Sequence, residues 1–179
     1  MKRFPRSSTP ALATLSGAAL LGLAGSALAD GDHDGIETRL KGYAEVPAVS
    51  SKASGKFKAT LDEKSGSLSY TLSYSGLEGD VRQAHIHFGQ RGVSGGIMVW
   101  LCQTSVNVDP TGLSPTCPQS GSVSGLIQAA NVIGPAGQGI SAAEYAEFVA
   151  AVRSGVAYAN VHSSKFPGGE VRGQLRNDD

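Results

Sequence analysis

Side chains equipped for chemistry are scarce in these 179 residues. No basic stripe is present, which argues against nucleic-acid binding. No repeats or coiled-coil heptads occur, and the only long apolar stretch lies within the first 29 residues. Gly92, Gly95 and Gly96 lack the spacing and the following helix of a phosphate cradle. Gly92-Val93-Ser94-Gly95-Gly96 matches G-x-S-x-G as a string, but a nucleophile elbow needs a helix after the serine. Here an apolar strand pattern follows, so Ser94 reads as a loop serine. Beyond the histidines no general base or nucleophile stands out.

The chain begins with Lys2, Arg3 and Arg6, followed by an apolar run from about Ala11 to Leu23 and an A-x-A site at Ala27-Leu28-Ala29. This is the pattern of an export signal cleaved after Ala29. A retained anchor is disfavoured by Ser16, Gly17, Gly22 and Gly25 and by the polar stretch from Asp30 to Asp34. The expected mature protein is periplasmic or secreted, with no membrane span. It carries 12 basic and 15 acidic residues, a formal charge of −3 over 150 residues. That length suits one domain, which buries roughly 70% of its unfolded surface. The only cysteines, Cys102 and Cys117, flank a loop rich in Pro, Ser, Thr and Gly. In an oxidising compartment they are expected to form a disulfide that contributes about 3 kcal/mol. The alternative, a pair of thiolate metal ligands, would need another spacing.

Residues 30–37 are acidic and read as a flexible N-terminus, in which His33 is a solvated histidine. Residues 38–176 form the expected domain, and 177–179 a C-terminal tail. Period-two patterns dominate this domain. Phe57, Ala59 and Leu61 alternate with Lys56, Lys58 and Thr60; Leu68, Tyr70, Leu72 and Tyr74 alternate with serines and Thr71. Asp62 to Gly66 reads as the hairpin connection between them. Ala84, Ile86 and Phe88 alternate with Gln83, His85 and His87. The run Ile97 to Leu101 suggests a strand covered on both faces, with Trp100 in the core. Strands are also expected over Val156 to His162 and Glu170 to Leu175, joined by the turn Pro167-Gly168-Gly169. One helix of about three turns is expected after the capping box Ser141 to Glu144, ending at Gly155. The fold class is all-β, an antiparallel β-sandwich with one short helix in a connection.

Three of the four histidines lie in two strand-like segments: His85 and His87 in AHIHFG, and His162 in YANVHSSKFPGGEVRG. Residues i and i+2 of a strand share a face with Cα atoms ~6.6 Å apart, from which two imidazoles reach one ion at ~2.0–2.1 Å. By parity His162 shares a face with Asn160 and Tyr158. If its strand lies beside that of His85 and His87, three nitrogen ligands converge, a set suited to one copper or zinc ion. Gln83, Asn160, Glu170 and Arg172 are candidate outer partners for the rings. The alternative is that the histidines bond to backbone or to Glu170 and tie loops together. Glu170 and Arg172 also read as an ion pair.

GYAEVPAV at 42–49, AHIHFGQRGVSGGIMVWL at 84–101 and AYANVHSSKFPGGEVRGQL at 157–175 together resemble the CHRD (chordin-type) domain, over roughly residues 38–176. The resemblance implies an extracytoplasmic β-sandwich module of the single-domain bacterial type, without an established catalytic activity. An H-x-H strand in an exported β-sandwich is also distantly similar to copper/zinc superoxide dismutase, although the further ligands of that bimetal site have no counterpart here. Three functions follow in order. The first is an exported binding module that takes one copper or zinc ion through His85, His87 and His162. The second is a module for an extracytoplasmic protein partner, with structural histidines. The third is a metal-dependent redox or hydrolytic enzyme.

Overall fold

Alternation of apolar and polar side chains sets the strands, and their pairing sets what surrounds the histidines. A computed structural model describes residues 35–176, and the expected signal, His33 and the C-terminal tail lie outside them. Eight strands follow the chain as β1 (Gly35–Lys41), β2 (Ser54–Asp62), β3 (Ser67–Ser75), β4 (Val81–Phe88), β5 (Gly96–Cys102), β6 (Gly121–Ile127), β7 (Ala157–Ser163) and β8 (Val171–Gln174). The helix α1 (Tyr145–Arg153) precedes β7. The all-β antiparallel fold takes the form of one sheet, ordered β5-β4-β7-β8-β1-β2-β3-β6. The sheet curls until its end strands β5 and β6 touch, so it is nearly a barrel.

The β2–β3 hairpin shows why these residues form strands. Its register sets Phe57 opposite Leu72, Ala59 opposite Tyr70 and Leu61 opposite Leu68. All six are buried, while Lys58, Thr60, Ser69 and Thr71 face solvent. At the turn Asp62 Oδ1 accepts hydrogen bonds from the backbone N–H groups of Lys64 and Ser65, and Gly66 takes a φ of 59°. Across the interior the Tyr70 hydroxyl donates to the Leu101 carbonyl, tying β3 to β5. The Cys102–Cys117 disulfide closes the loop that leaves β5. Buried Asp109 organises that loop by accepting from Thr111 N, Thr111 Oγ1 and Ser114 N.

Four expectations are corrected here. The stretch through Glu37 is not frayed to its end: Gly35–Glu37 begin β1, and Glu37 bridges Lys56 and Lys58 of β2. The helix has nine residues, about two and a half turns, because Ala143 adopts a φ of 65° and delays its start to Tyr145. Only half of the capping box forms, with Ser141 N donating to Glu144 Oε2. Trp100 is half-buried, flanking His85 instead of filling the core. Strands β4 and β7, like their neighbours β5 and β8, bury residues on both faces. Ala84, Ile86, Ala159 and Val161 face the common core, and the opposite face carries His85, His87, Asn160 and His162.

Candidate metal centre

The antiparallel pairing of β4 with β7 brings the two histidine segments together. Gln83 lies opposite His162, His85 opposite Asn160, and His87 opposite Tyr158. His85, His87 and His162 are 0%, 8% and 6% exposed. One ring nitrogen from each falls within 4.8 Å of the others. Three loops cover this face. The 89–95 loop supplies the Gly95 carbonyl, the 164–170 loop the Pro167 carbonyl, and the segment after β1 supplies buried Glu45.

Hydrogen bonds fix two of the rings. His87 Nδ1 lies 2.9 Å from the Gly95 carbonyl, and His162 Nδ1 lies 2.9 Å from the Pro167 carbonyl. A carbonyl only accepts, so both Nδ1 atoms carry the proton and both Nε2 atoms carry a lone pair. His87 Nε2 and His85 Nε2 are buried without a hydrogen-bond partner. His85 Nδ1 stands 3.2 Å from His162 Nε2. Burial, reinforced by the neighbouring rings, pushes His85 down to about 2. Burial likewise pushes His87 down to about 4, against the opposing effect of its bond to Gly95. His162 is lowered by burial, partly offset by the Pro167 bond. The three rings are therefore neutral near pH 7, the form that binds metals.

Packing holds the rings from the side. Trp100 meets His85 edge-on with centroids 4.3 Å apart, and Tyr158 stacks on His87 at 4.8 Å and 3°. The Arg172 guanidinium lies 3.3 Å over the far face of Tyr158, and its Nη2 donates to the Gln90 and Val93 carbonyls. Gly95 is required where it is, because a Cβ there would sit 1.7 Å from the Phe88 carbonyl oxygen. Gly169, at a φ of 127°, leaves the space into which Glu45 Oε1 and Asn160 Nδ2 project.

Of the four expected outer partners, Asn160 touches the site directly, its Oδ1 lying 3.1 Å from His162 Nε2. Arg172 acts on His87 through Tyr158. Gln83 faces His162 in register, with no hydrogen bond to it among the described residues. Glu170 is directed elsewhere: its Oε1 accepts from Ser51 Oγ and from Glu78 N. Glu170 and Arg172 thus engage different partners, and the expected ion pair between them does not form. The residue that sequence reasoning missed is Glu45. It is 7% exposed, and burial pushes its carboxyl up to about 7 despite the nearby Arg172. Its only signal was a place in GYAEVPAV, the least distinctive of the three blocks.

A family model described as CHRD domain matches residues 36–175. No curated protein and no solved structure matches the chain. The match covers nearly all of the described residues, both histidine strands and the loops that orient the rings, and the chain belongs to the CHRD domain family.

Proposed function

We propose that this protein is an exported CHRD-domain binding module that holds one copper or zinc ion through His85, His87 and His162. A single observation carries the reading: three neutral imidazoles present nitrogens within 4.8 Å of one another in a buried space. Two of them are set by carbonyl acceptors so that Nε2 faces inward, the outer-partner arrangement usual for ligating histidines. The 3.2 Å between His85 Nδ1 and His162 Nε2 supports the same reading. Ligands of a tetrahedral ion with bonds of ~2.0–2.1 Å are separated by ~3.3 Å. Two nitrogens that share one ion lie at this distance.

An all-imidazole set suits zinc or copper over magnesium or calcium, which take oxygen ligands. Such an ion would supply Lewis acidity or, for copper, a one-electron couple. The chain's own residues exclude water and fix the rings: Trp100 against His85, and Tyr158 with Arg172 against His87. Export to the periplasm or beyond is supported by the N-terminal signal pattern and by the disulfide. Among the described residues no helix is long and apolar enough to cross a membrane.

Titration of the full chain with Cu²⁺ and Zn²⁺, followed by elemental analysis, tests the reading. One equivalent is expected in wild type and none after His85→Ala or His162→Ala. Equal uptake by both variants would refute it. A second reading, binding of an extracytoplasmic protein, is favoured by Val106, Val108 and Leu113, which are 66%, 61% and 56% exposed on the disulfide-closed loop.

A further inference from the structure

His162 has an excess of acceptors around it. Its Nδ1 faces the Pro167 carbonyl at 2.9 Å, and its Nε2 faces Asn160 Oδ1 at 3.1 Å. A neutral imidazole carries one N–H, so it satisfies one of these oxygens and turns a lone pair toward the other. The shorter contact takes the proton. Nε2 and Oδ1 are then two lone-pair atoms facing each other; His85 Nδ1, 3.2 Å from Nε2, can donate to Nε2 but leaves Oδ1 turned toward it. An electron-rich pair of this kind is repulsive when empty and is relieved by a cation between its members.

From this we infer that Asn160 Oδ1 is the fourth ligand of the ion, completing a three-nitrogen, one-oxygen set, and that Glu45 is the positioning residue that turns the amide so that its oxygen faces inward. The inference rests on the three-histidine reading above. Its geometry is independent of it: the 3.1 Å between Asn160 Oδ1 and His162 Nε2 lies between the ~2.9 Å and ~3.3 Å expected for two ligands at right and tetrahedral angles on bonds of ~2.0–2.1 Å. The amide's direction follows from the other end of the side chain. Asn160 Nδ2 is on the Glu45 side, where it and Glu45 Oε1 lie 2.9 and 2.4 Å from the point a Gly169 Cβ would occupy. Glu45 Oε1 is buried and has no hydrogen bond of its own, so a donor is favoured there. Register completes the argument, since Asn160 is directly opposite His85 and two residues from His162 on the same face.

Loss of affinity alone does not separate a ligand from an outer partner, because both cost about ten-fold or more when removed. The spectrum of the bound ion does. The full chain and its Asn160→Ala, Asn160→Asp and Glu45→Ala variants would be titrated with Co²⁺, read by d–d absorption, and with Cu²⁺, read by electron paramagnetic resonance. Asn160→Ala is expected to bind one equivalent about ten-fold or more weakly with displaced bands. Asn160→Asp keeps an oxygen at that position and is expected to bind at least as tightly as wild type, with its own displaced spectrum. Glu45→Ala is expected to bind a few-fold more weakly with broadened bands. Wild-type affinity and a superimposable spectrum in Asn160→Ala would overturn Asn160 as a ligand while leaving the histidines in place. Should that variant not fold, an unchanged spectrum in Asn160→Asp would overturn it equally. A wild-type chain that takes up no ion would instead overturn the three-histidine reading itself.

Discussion

The two ends of this one sheet solve opposite problems. Strands β1, β2, β3 and β6 bury one face and leave the other to water, and Ser67 is their only buried polar residue. Strands β5, β4, β7 and β8 are covered on both faces and bury His85, His87, Asn160, His162, Ser163 and Arg172. The first half follows the hydrophobic effect alone. The second carries polar atoms without partners, among them His85 Nε2 and His87 Nε2, each costing about 1–3 kcal/mol when buried unpaired. A half that gives up stability in this way keeps its polar groups for something other than folding. The halves meet through a thin seam, with Lys41 and Arg172 the paired residues between β1 and β8.

The sharpest way to break this comparison is to remove one fully buried side chain from each half. Phe57 stacks on Tyr70 in the apolar half and is 0% exposed. Phe57→Ala is expected to cost about 3–5 kcal/mol in denaturant unfolding of the metal-free protein. His85 is equally buried, yet among the described residues its ring hydrogen-bonds with His162 alone. His85→Leu exchanges a ring with one unpaired buried nitrogen for an apolar side chain and is expected to change metal-free stability by less than about 1 kcal/mol. A loss from His85→Leu as large as that from Phe57→Ala would show the histidine layer to be structural.

Reduction of the disulfide comes next in size. Cys102 ends β5, and its loop leads through Cys117 toward β6, so the bridge pins the connection between the two end strands. The 15-residue separation corresponds to about 3 kcal/mol by chain entropy. A reductant is expected to lower Tm by several degrees, and an identical melt with and without reductant would contradict that role. The halves would then also be expected to part before β2 and β3 do, seen as earlier loss of amide protection in β5 and β6.

The apolar half and the histidine strands were legible for a shared reason: period-two alternation is local. His85 with His87, and Asn160 with His162, fall on common faces by parity alone. That β7 lies beside β4 was not legible, because pairing between residues so far apart in the chain, such as His85 with Asn160, leaves no local trace. Strand β6 escaped notice because GSVSGLI has the serine and glycine content of a loop. Gly125 is there because a Cβ would come within 2.5 Å of the Tyr70 hydroxyl, a constraint that β3 imposes. Residues 30–37 were read as one acidic stretch, although Ile36, Thr38 and Leu40 alternate with Glu37, Arg39 and Lys41 as a strand should. Glu45 gave no warning of burial. What buries it is the Gly169 turn, more than a hundred residues away in the chain.

Glu45 supplies the smallest and most selective test of the polar half. Its folded-state carboxyl is raised from 4.5 to about 7, by burial first, with Arg172, the Val46 backbone and Asn160 opposing. A raised acid is protonated in the folded protein at a pH where the unfolded chain has already lost its proton. Stability from this group is therefore full below about pH 4.5 and is lost as pH rises through about 7. The histidines act in the other direction. Their folded values lie below 6.5, so their contribution is present above 6.5 and is lost as pH falls. Comparing Glu45→Gln with wild type removes the histidine contribution common to both and leaves Glu45 alone. The amide introduced by that substitution mimics the protonated acid at every pH. In the metal-free protein the variant is expected to be about 1–3 kcal/mol more stable than wild type at pH 8, and less than about 1 kcal/mol more stable at pH 5. A gain of the same size at both values would mean that folding does not change the protonation of Glu45 over this range, so that its carboxyl is not raised in the fold. A loss at pH 8 would mean that its charge is held by Arg172 after all, and the polar half would then be better compensated than its unpaired atoms imply.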